Sequence, residues 1–137
     1  MTSARRLGAV TVLVDDYDAG IAFFRGVLGF RLVEDTTQGG GRRWVTVAAS
    51  DDPAATRLLL ARPKDEAERA ALGRQAGGRV GFFLETDDFP RDHARMLDAG
   101  VRFREAPRHE PYGTVAVFED PWGNPWDLIQ PAVTSTR

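Results

Sequence analysis

Two pairs of helix-boundary residues recur at almost the same interval, and this repetition constrains the fold more than any other feature of the chain. Asp16 and Asp88 each precede a helical pattern, while Gly29 and Gly100 each follow one. Aspartate favours the N-cap of a helix, and glycine favours the position just after its C-terminus. The interval is 72 positions between the aspartates and 71 between the glycines. The sequence therefore predicts an internal duplication.

Each helical pattern lies among short stretches that are rich in apolar and β-branched residues and are bounded by turn residues. The predicted strands are residues 7–14, 30–34, 44–48 and 57–61 in the first half, and residues 80–85, 101–104, 112–118 and 126–130 in the second. Both halves have the order βαβββ, which predicts eight strands. The predicted fold class is α+β, with two tandem βαβββ modules.

The 137 residues are enough for one domain with its own core, so we predict a single domain over residues 1–137. Within it we place module one at residues 5–63, a linker at 64–78, module two at 79–131 and a C-terminal tail at 132–137. The linker is charged and rich in alanine, which predicts a surface helix between the modules.

Composition excludes several classes of function. The formal net charge is −2 and no basic stripe is present, so nothing indicates a nucleic-acid partner. The chain has no cysteine, which excludes disulfides, thiolate nucleophiles and cysteine-based metal sites and is compatible with a reducing compartment. No apolar run approaches the ~20 residues of a membrane helix, and the N-terminal stretch lacks the apolar segment of a signal peptide. We therefore expect a cytoplasmic protein without a membrane span.

Three stretches of the chain resemble the vicinal oxygen chelate superfamily: VLVDDYDAGIAFFRGVLGF, FFLETDDFPRDHARMLDAGVRF and YGTVAVFEDPWGNPWDLIQ. This superfamily includes glyoxalase I, extradiol dioxygenases, fosfomycin-inactivating transferases and bleomycin-resistance binding proteins. The resemblance implies two βαβββ modules whose mixed sheets curve around a cup, usually within a homodimer, with a substrate and a divalent metal inside. The scaffold carries unrelated chemistries, so it does not by itself fix an activity.

The resemblance also implies where metal ligands would lie, on the first and last strand of each module. Those positions fall on Ala9, on Arg57 or Leu59, among residues 79–81, and on Asp127. Of these, only Asp127 offers a suitable oxygen, whereas catalytic metal sites use about three protein ligands. We therefore predict no metal ligands and no cofactor.

The two histidines do not complete such a site. His93 lies in the second predicted helix, where we expect it to face solvent or to have a structural role. His109 lies in a loop before the closing hairpin, where it is either a ligand contact or a plain surface histidine.

Strand alternation predicts which side chains face the cup, because residues two apart share a face. With Ala9 and Asp127 taken as facing the cup, the same face carries Thr11, Leu13, Gly81, Phe83, Glu85, Pro125 and Ile129. Trp44 and Tyr112 are expected to line or rim the opening. The candidate ligand-binding residues are therefore Trp44, Arg57, Phe83, Glu85, His109, Tyr112 and Asp127.

Arg57 allows more than one interpretation. A guanidinium at this position would bind a carboxylate or phosphate through two parallel hydrogen bonds. Alternatively Arg57 pairs internally with Asp127 or Glu85, or it points outward if the strand register differs by one.

The turn in DPWGN is explained by backbone chemistry alone. Asp120 can accept hydrogen bonds from turn amides, Pro121 fixes φ, and Gly123 and Asn124 tolerate positive φ. Trp122 at the tip is either exposed, packed on the linker or part of a dimer contact.

Two classes of function remain. The first is a metal-free protein that binds a small molecule, similar to the bleomycin-resistance proteins. The second is an enzyme of the glyoxalase or dioxygenase type, either metal-dependent with atypical ligands or a metal-free isomerase that uses Asp127, Glu85 or His109 as acid or base.

Overall fold

The computed structural model describes residues 4–133 of the chain. Residues 134–137 of the predicted tail, and residues 1–3, lie outside the described part. The chain forms two compact units that divide between Leu72 and Gly73, a point within the predicted linker. No helix of the described residues is long and apolar enough to cross a membrane.

The first unit contains a four-stranded mixed sheet in the order β1-β4-β3-β2. Its strands are β1 (Ala9–Leu13), β2 (Arg31–Gly39), β3 (Arg42–Ala48) and β4 (Arg57–Ala61). The strands β1 and β4 run parallel, and the other neighbours are antiparallel. The predicted βαβββ order and the α+β class are confirmed, and the boundaries of β4 are those the sequence predicts.

The helix of this unit begins and ends where its boundary residues predict. It starts as α1 (Tyr17–Ile21) and continues as a π-helical segment, Ala22–Val27. The side chain of Asp16 accepts a hydrogen bond of 2.8 Å from the amide of Ala19, which satisfies a free N–H at the helix start. Gly29 follows with φ at 77°, a conformation that glycine adopts without steric cost.

The core of the first unit lies between this helix and one face of the sheet. Fully buried side chains come from three strands and the helix, namely Val12, Phe24, Val45, Val47 and Leu60. A second short helix, α2 (Glu66–Ala71), follows the sheet and is capped by Asp65, in agreement with the helix predicted in the linker.

The second unit contains a five-stranded sheet in which β5, β9, β8 and β6 are neighbours in that order and β7 also pairs with β8. Its elements are β5 (Phe82–Glu85), α3 (Phe89–Asp98), β6 (Arg102–Phe103), β7 (Arg108–Glu110), β8 (Gly113–Glu119) and β9 (Pro125–Pro131). The described residues thus form nine strands instead of the predicted eight, because the sequence around His109 forms a strand and not a loop.

His93 has the structural role that was one of the two alternatives predicted for it. Its ring stacks on Phe89 with 5.3 Å between centroids and meets the edge of Phe103 at 4.5 Å. Residues 89, 93 and 96 share one helix face because they are spaced by four and three positions, and Phe89 and Met96 are buried. His93 is therefore part of the packing between α3 and the sheet, and its side chain is partly exposed.

The turn before β9 is held by Asp120, which is 3% exposed. Its carboxylate accepts hydrogen bonds from the amides of Trp122, Gly123 and Asn124 and from the side chains of Asn124 and Trp126. The predicted backbone role of this aspartate is confirmed. Gly73 also packs against the backbone of Trp122, so the tip of the turn contacts the linker, one of the three predicted arrangements.

Candidate functional site

The register of the first sheet defines its two faces. Ala9 lies opposite Arg57, and Thr11 lies opposite Leu59, whose other neighbour is Thr46. Since Val12, Val45 and Leu60 on the alternate positions are buried against the helix, these side chains project to the other side. We call this side, with Thr11, Glu34, Trp44, Thr46 and Arg57, the polar face of the first unit.

Glu34 joins the functional side chains of the polar face. Its Oε1 accepts hydrogen bonds of 3.0 Å from Nε1 of Trp44 and 3.0 Å from the hydroxyl of Thr46. The same oxygen lies 3.5 Å from Nη1 of Arg57. Trp44 and Arg57, both predicted site residues, are therefore brought together by a carboxylate that the sequence analysis did not identify.

Arg57 retains unused hydrogen-bonding capacity. Its Nε is buried and has no hydrogen-bond partner, although the side chain as a whole is about one-third exposed. An unsatisfied buried donor costs roughly 1–3 kcal/mol. The internal ion pair of Arg57, for which Asp127 and Glu85 were the predicted partners, is instead made with Glu34, which lies opposite Thr46 in the β2–β3 pair.

In the second unit the register places Phe83 and Asp127 opposite each other on neighbouring strands. Glu85 lies two residues beyond Phe83 and opposite Ile129, so it projects to the same side. Phe83 is 64% exposed. We call this side, with Phe83, Glu85, Arg108 and Asp127, the Asp127 face of the second unit.

Arg108 organises the charges on the Asp127 face. It lies opposite Val115 in the β7–β8 pair, and Val115 lies opposite Ile129. Its guanidinium donates to Glu105 at 2.8 Å and to Glu110 at 2.7 Å. The hydrogen bond from Arg108 is the main cause that lowers the pKa of Glu105, although burial opposes it.

Asp127 has a different environment from those glutamates. No other side chain or amide in the part of the chain that the structure describes donates a hydrogen bond to its carboxylate. Burial raises its pKa, the positive charge of Arg108 lowers it, and the negative charge of Glu105 raises it, with a net upward shift. Asp127 is therefore a half-buried, unpaired carboxylate next to the exposed ring of Phe83.

The structure separates His109 from Asp127. His109 lies opposite Thr114, with 3.2 Å between Nδ1 and the threonine hydroxyl. Thr114 pairs with Gln130, which is three residues from Asp127 and so projects to the opposite side of the sheet. By contrast, Tyr112 lies at the edge of the Asp127 face, where it is 55% exposed. The pKa of Arg108 is raised by its hydrogen bonds to Glu105 and to Tyr112.

The side chains at the first-unit positions where the resemblance implies metal ligands do not fit a divalent ion. In the first unit these are the methyl group of Ala9, the guanidinium of Arg57 and the apolar side chain of Leu59. The carboxylate of the polar face, Glu34, is already in contact with Arg57, whose charge repels a cation. Within residues 4–133, no group of three or more histidine, aspartate or glutamate side chains is placed to hold a metal ion.

Known proteins resemble this chain over most of its length. An uncharacterized protein of Shewanella frigidimarina is 47% identical over 122 residues, which are 88% of this chain and 90% of the relative. The crystal structure of UcmS2 is 32% identical with a TM-score of 0.79, and it covers 93% of this chain and 98% of that one. TnmS3, an antibiotic binding protein from Streptomyces sp. CB03234, is 29% identical with a TM-score of 0.74, over 96% of this chain and all of TnmS3.

A family model also matches most of the chain. The family model that matches is the glyoxalase/bleomycin resistance protein/dioxygenase superfamily, and the match covers residues 6–128. The predicted resemblance is therefore confirmed, and the chain belongs to the glyoxalase/bleomycin resistance protein/dioxygenase superfamily.

Proposed function

We propose that this chain binds a small organic molecule of the antibiotic or natural-product class and that it does so without a metal ion. The observation that carries the proposal is the same in each unit: an exposed aromatic ring lies beside a charged group on a sheet face. Trp44 lies beside Arg57 and Glu34 on the polar face, and Phe83 lies beside Asp127 on the Asp127 face. The similarity to TnmS3 supports the ligand class.

On the polar face, the indole ring of Trp44 is fixed in one orientation in which it can stack on a ligand. Glu34 accepts a hydrogen bond from the indole N–H of Trp44, which restricts the rotation of the ring. Trp44 remains 39% exposed. A ring that is ordered before binding loses less entropy on binding, which favours affinity. The exposed part of the Arg57 guanidinium can donate to a carbonyl or phenolic oxygen of the ligand.

The Asp127 face favours hydrogen-bond donors on the ligand, whereas Arg57 on the polar face favours acceptors. The unpaired carboxylate of Asp127 can accept a hydrogen bond from a hydroxyl, amide or amine of the ligand, which restores a partner to a half-buried polar group. Phe83 offers an apolar surface one strand away. Glu85 and Tyr112 border this surface and add polar contacts, whereas His109 projects to the other side and has no part in the proposal.

We also propose a homodimer in the cytoplasm. The superfamily resemblance supports the dimer, and the absence of cysteine is compatible with a reducing compartment. Light scattering during size-exclusion chromatography measures the mass in solution directly. A mass of one chain, about 15.1 kDa, would contradict the dimer.

One observation favours a second candidate, a metal-free acid–base enzyme. Asp127 has the raised pKa and lack of a partner that a general base or acid needs. In that case the variant Asp127→Asn, which keeps the shape of the side chain, binds the substrate but does not turn it over. If the chain is only a binding protein, the ligand is recovered unchanged by mass spectrometry after incubation with the wild type.

The main experiment measures metal content and ligand binding on the same preparation. We expect elemental analysis of protein purified without chelator to find no stoichiometric metal. Manganese, iron(II), nickel and zinc are expected to give no saturable rise in Tm, whereas bleomycin and a panel of aromatic antibiotics are expected to include a compound that does. One bound metal per chain would overturn the metal-free proposal.

The two faces are tested with matched variants. We expect Trp44→Ala and Phe83→Ala each to weaken binding of that compound by roughly tenfold, because each removes a stacking surface. The control is Leu97→Ala on α3, which removes an apolar side chain of similar exposure, 49%, away from both faces. An equal loss in all three variants would contradict the assignment of the site.

A further inference from the structure

A cleft opens in the first unit where two neighbouring strands separate. The antiparallel ladder between β3 and β4 ends at the pair Val45 and Leu60. The strand β3 begins three residues earlier, at Arg42, and the chain of β4 continues beyond Ala61. Between these unpaired segments lies a cavity of about 650 Å³, a volume in the usual range for small-molecule sites.

The walls of the cleft carry an excess of positive charge. Four basic side chains line it, Arg42, Arg43, Arg62 and Lys64, and the carboxylate among the lining residues is that of Glu68. Lys64 lies 3.7 Å from Glu68, so these two charges offset each other.

The positive charge of Arg43 is neutralised by two carboxylates that do not themselves line the cleft. Its guanidinium donates to Asp35 at 2.8 Å and 3.1 Å and to Asp18 at 2.9 Å. It also lies over the ring of Tyr17, with 5.3 Å between its central carbon and the ring centroid. These contacts fix Arg43 and Tyr17 as a rigid wall of the cleft.

Two guanidiniums remain without a counterion. Arg42 and Arg62 are both exposed, and neither has an ion-pair or hydrogen-bond partner for its side chain anywhere in residues 4–133. Two unpaired arginines at one cleft favour an anion, because the planar guanidinium binds carboxylate and phosphate oxygens through paired hydrogen bonds. The aromatic side chain of Trp44, 39% exposed, lines the same cleft and provides apolar surface for the rest of the ligand.

We propose that this cleft is a binding site for an aromatic compound that carries a carboxylate or a phosphate ester. Arg42 and Arg62 bind the anionic group, and Trp44 contacts the ring. The site goes beyond the proposed function because its anchoring charges are not those of the polar face or the Asp127 face. It adjoins the polar face through Trp44 and Leu59, so the two sites share one aromatic side chain and no arginine.

The test uses three probes with the same ring system: 1-naphthoate, 1-naphthyl phosphate and the neutral 1-naphthamide. Titration calorimetry is expected to show both anions binding, and the neutral amide binding at least about tenfold more weakly. Binding of the anions is also expected to weaken as salt rises, because the arginines are exposed. Equal affinity for the anions and the amide would overturn the proposal.

The variant Arg42→Gln/Arg62→Gln removes both anchoring charges, and we expect it to weaken binding of either anion by about tenfold or more. The control is Arg5→Gln/Arg79→Gln, which removes two other exposed arginines and changes the net charge by the same amount. Unchanged affinity in the first variant, or the same loss in the control, would show that the anions bind elsewhere.

Two further measurements separate this site from the proposed function. Arg42→Gln/Arg62→Gln is expected to leave the affinity for the antibiotic unchanged, since neither arginine belongs to the polar face or the Asp127 face. Amide resonances of Gly40 and Gly41, which line the cleft, are expected to shift on adding naphthoate. If these resonances stay fixed while antibiotics still bind, the cleft proposal fails and the proposed function stands.

Discussion

Glu34 and Arg57 contact each other across two strand positions of the first sheet, with 3.5 Å between Oε1 of Glu34 and Nη1 of Arg57. Their strands are not neighbours, because β3 lies between β2 and β4. Thr46 on β3 lies opposite Glu34 and donates to the same oxygen. The polar face therefore has one carboxylate that fixes three side chains from two other strands.

Glu34→Ala is expected to destabilise the protein more than Glu34→Gln. Thr46 is 1% exposed, so removing its acceptor leaves a buried hydroxyl unpaired, which costs about 1–3 kcal/mol. Glutamine keeps an acceptor oxygen and loses only the half-exposed ion pair, which contributes little. Urea unfolding of both variants measures the difference.

Thr46→Val provides the control for Glu34→Ala. It removes the hydroxyl of Thr46, so position 46 no longer needs a hydrogen-bond acceptor. In the Thr46→Val background, Glu34→Ala is expected to cost less than it does in the wild type. A double-mutant cycle gives this coupling energy. A coupling of zero would show that Glu34 does not serve Thr46.

Asp120→Ala is expected to be the most destabilising of the variants considered on the closing hairpin. It leaves donors from Trp122, Gly123, Asn124 and Trp126 without their acceptor, and several of these are buried, so the cost is about 3 kcal/mol or more. Chemical denaturation measures it. Asp51→Ala, at a side chain that is 98% exposed, is the control and is expected to change little.

Much of the fold could be predicted because its signals are local. The caps at Asp16 and Asp88 and the stops at Gly29 and Gly100 act within one helical turn, so each is readable from a few residues. Alternation also placed Phe83 and Asp127 on one face of the second sheet, because that part of the β5–β9 ladder is regular.

The polar face could not be predicted in full because the strand that carries Glu34 is irregular. The pairing of β2 with β3 shifts between Leu32 and Glu34, and such a bulge moves the following side chains to the other face. The alternation of side chains, counted from residue 30, therefore does not predict which face of the sheet Glu34 occupies. The strand Arg108–Glu110 could not be predicted for a different reason: it is short, charged and flanked by prolines at 107 and 111.

Gly73→Ala is expected to destabilise the second unit strongly. A Cβ at this position would collide with the carbonyl oxygen of Trp122, and φ is 77°, so both contact and backbone conformation oppose the change. We expect a loss of more than about 2 kcal/mol. Thermal or urea unfolding measures it.

Gly77→Ala is the matched control for Gly73→Ala. Gly77 also has a positive φ, 66°, but a Cβ there would meet no atom within 4 Å. Gly77→Ala is therefore expected to lower the free energy of unfolding only through the unfavourable backbone conformation, by about 1 kcal/mol. Equal losses in the two variants would show that the contact with Trp122 is not rigid.

Asp127 is expected to make stability depend on pH in the sense opposite to a salt-bridged carboxylate. Because burial raises its pKa in the folded state, its contribution is present below the unfolded pKa, about 3.9, and is lost as pH rises through the raised value. The free energy of unfolding of Asp127→Asn, measured relative to wild type, is therefore expected to rise across that pH window and to stay constant above it.

Glu105→Gln is the control of opposite sign. Arg108 lowers the pKa of Glu105, so the stability that Glu105 contributes in the wild type is present above the unfolded pKa and is lost as pH falls through the lowered pKa. Urea unfolding from pH 3 to pH 7, with the carboxyl carbon of Asp127 followed by NMR, measures both, and a falling stability of Asp127→Asn over this window would contradict an unpaired, half-buried carboxylate.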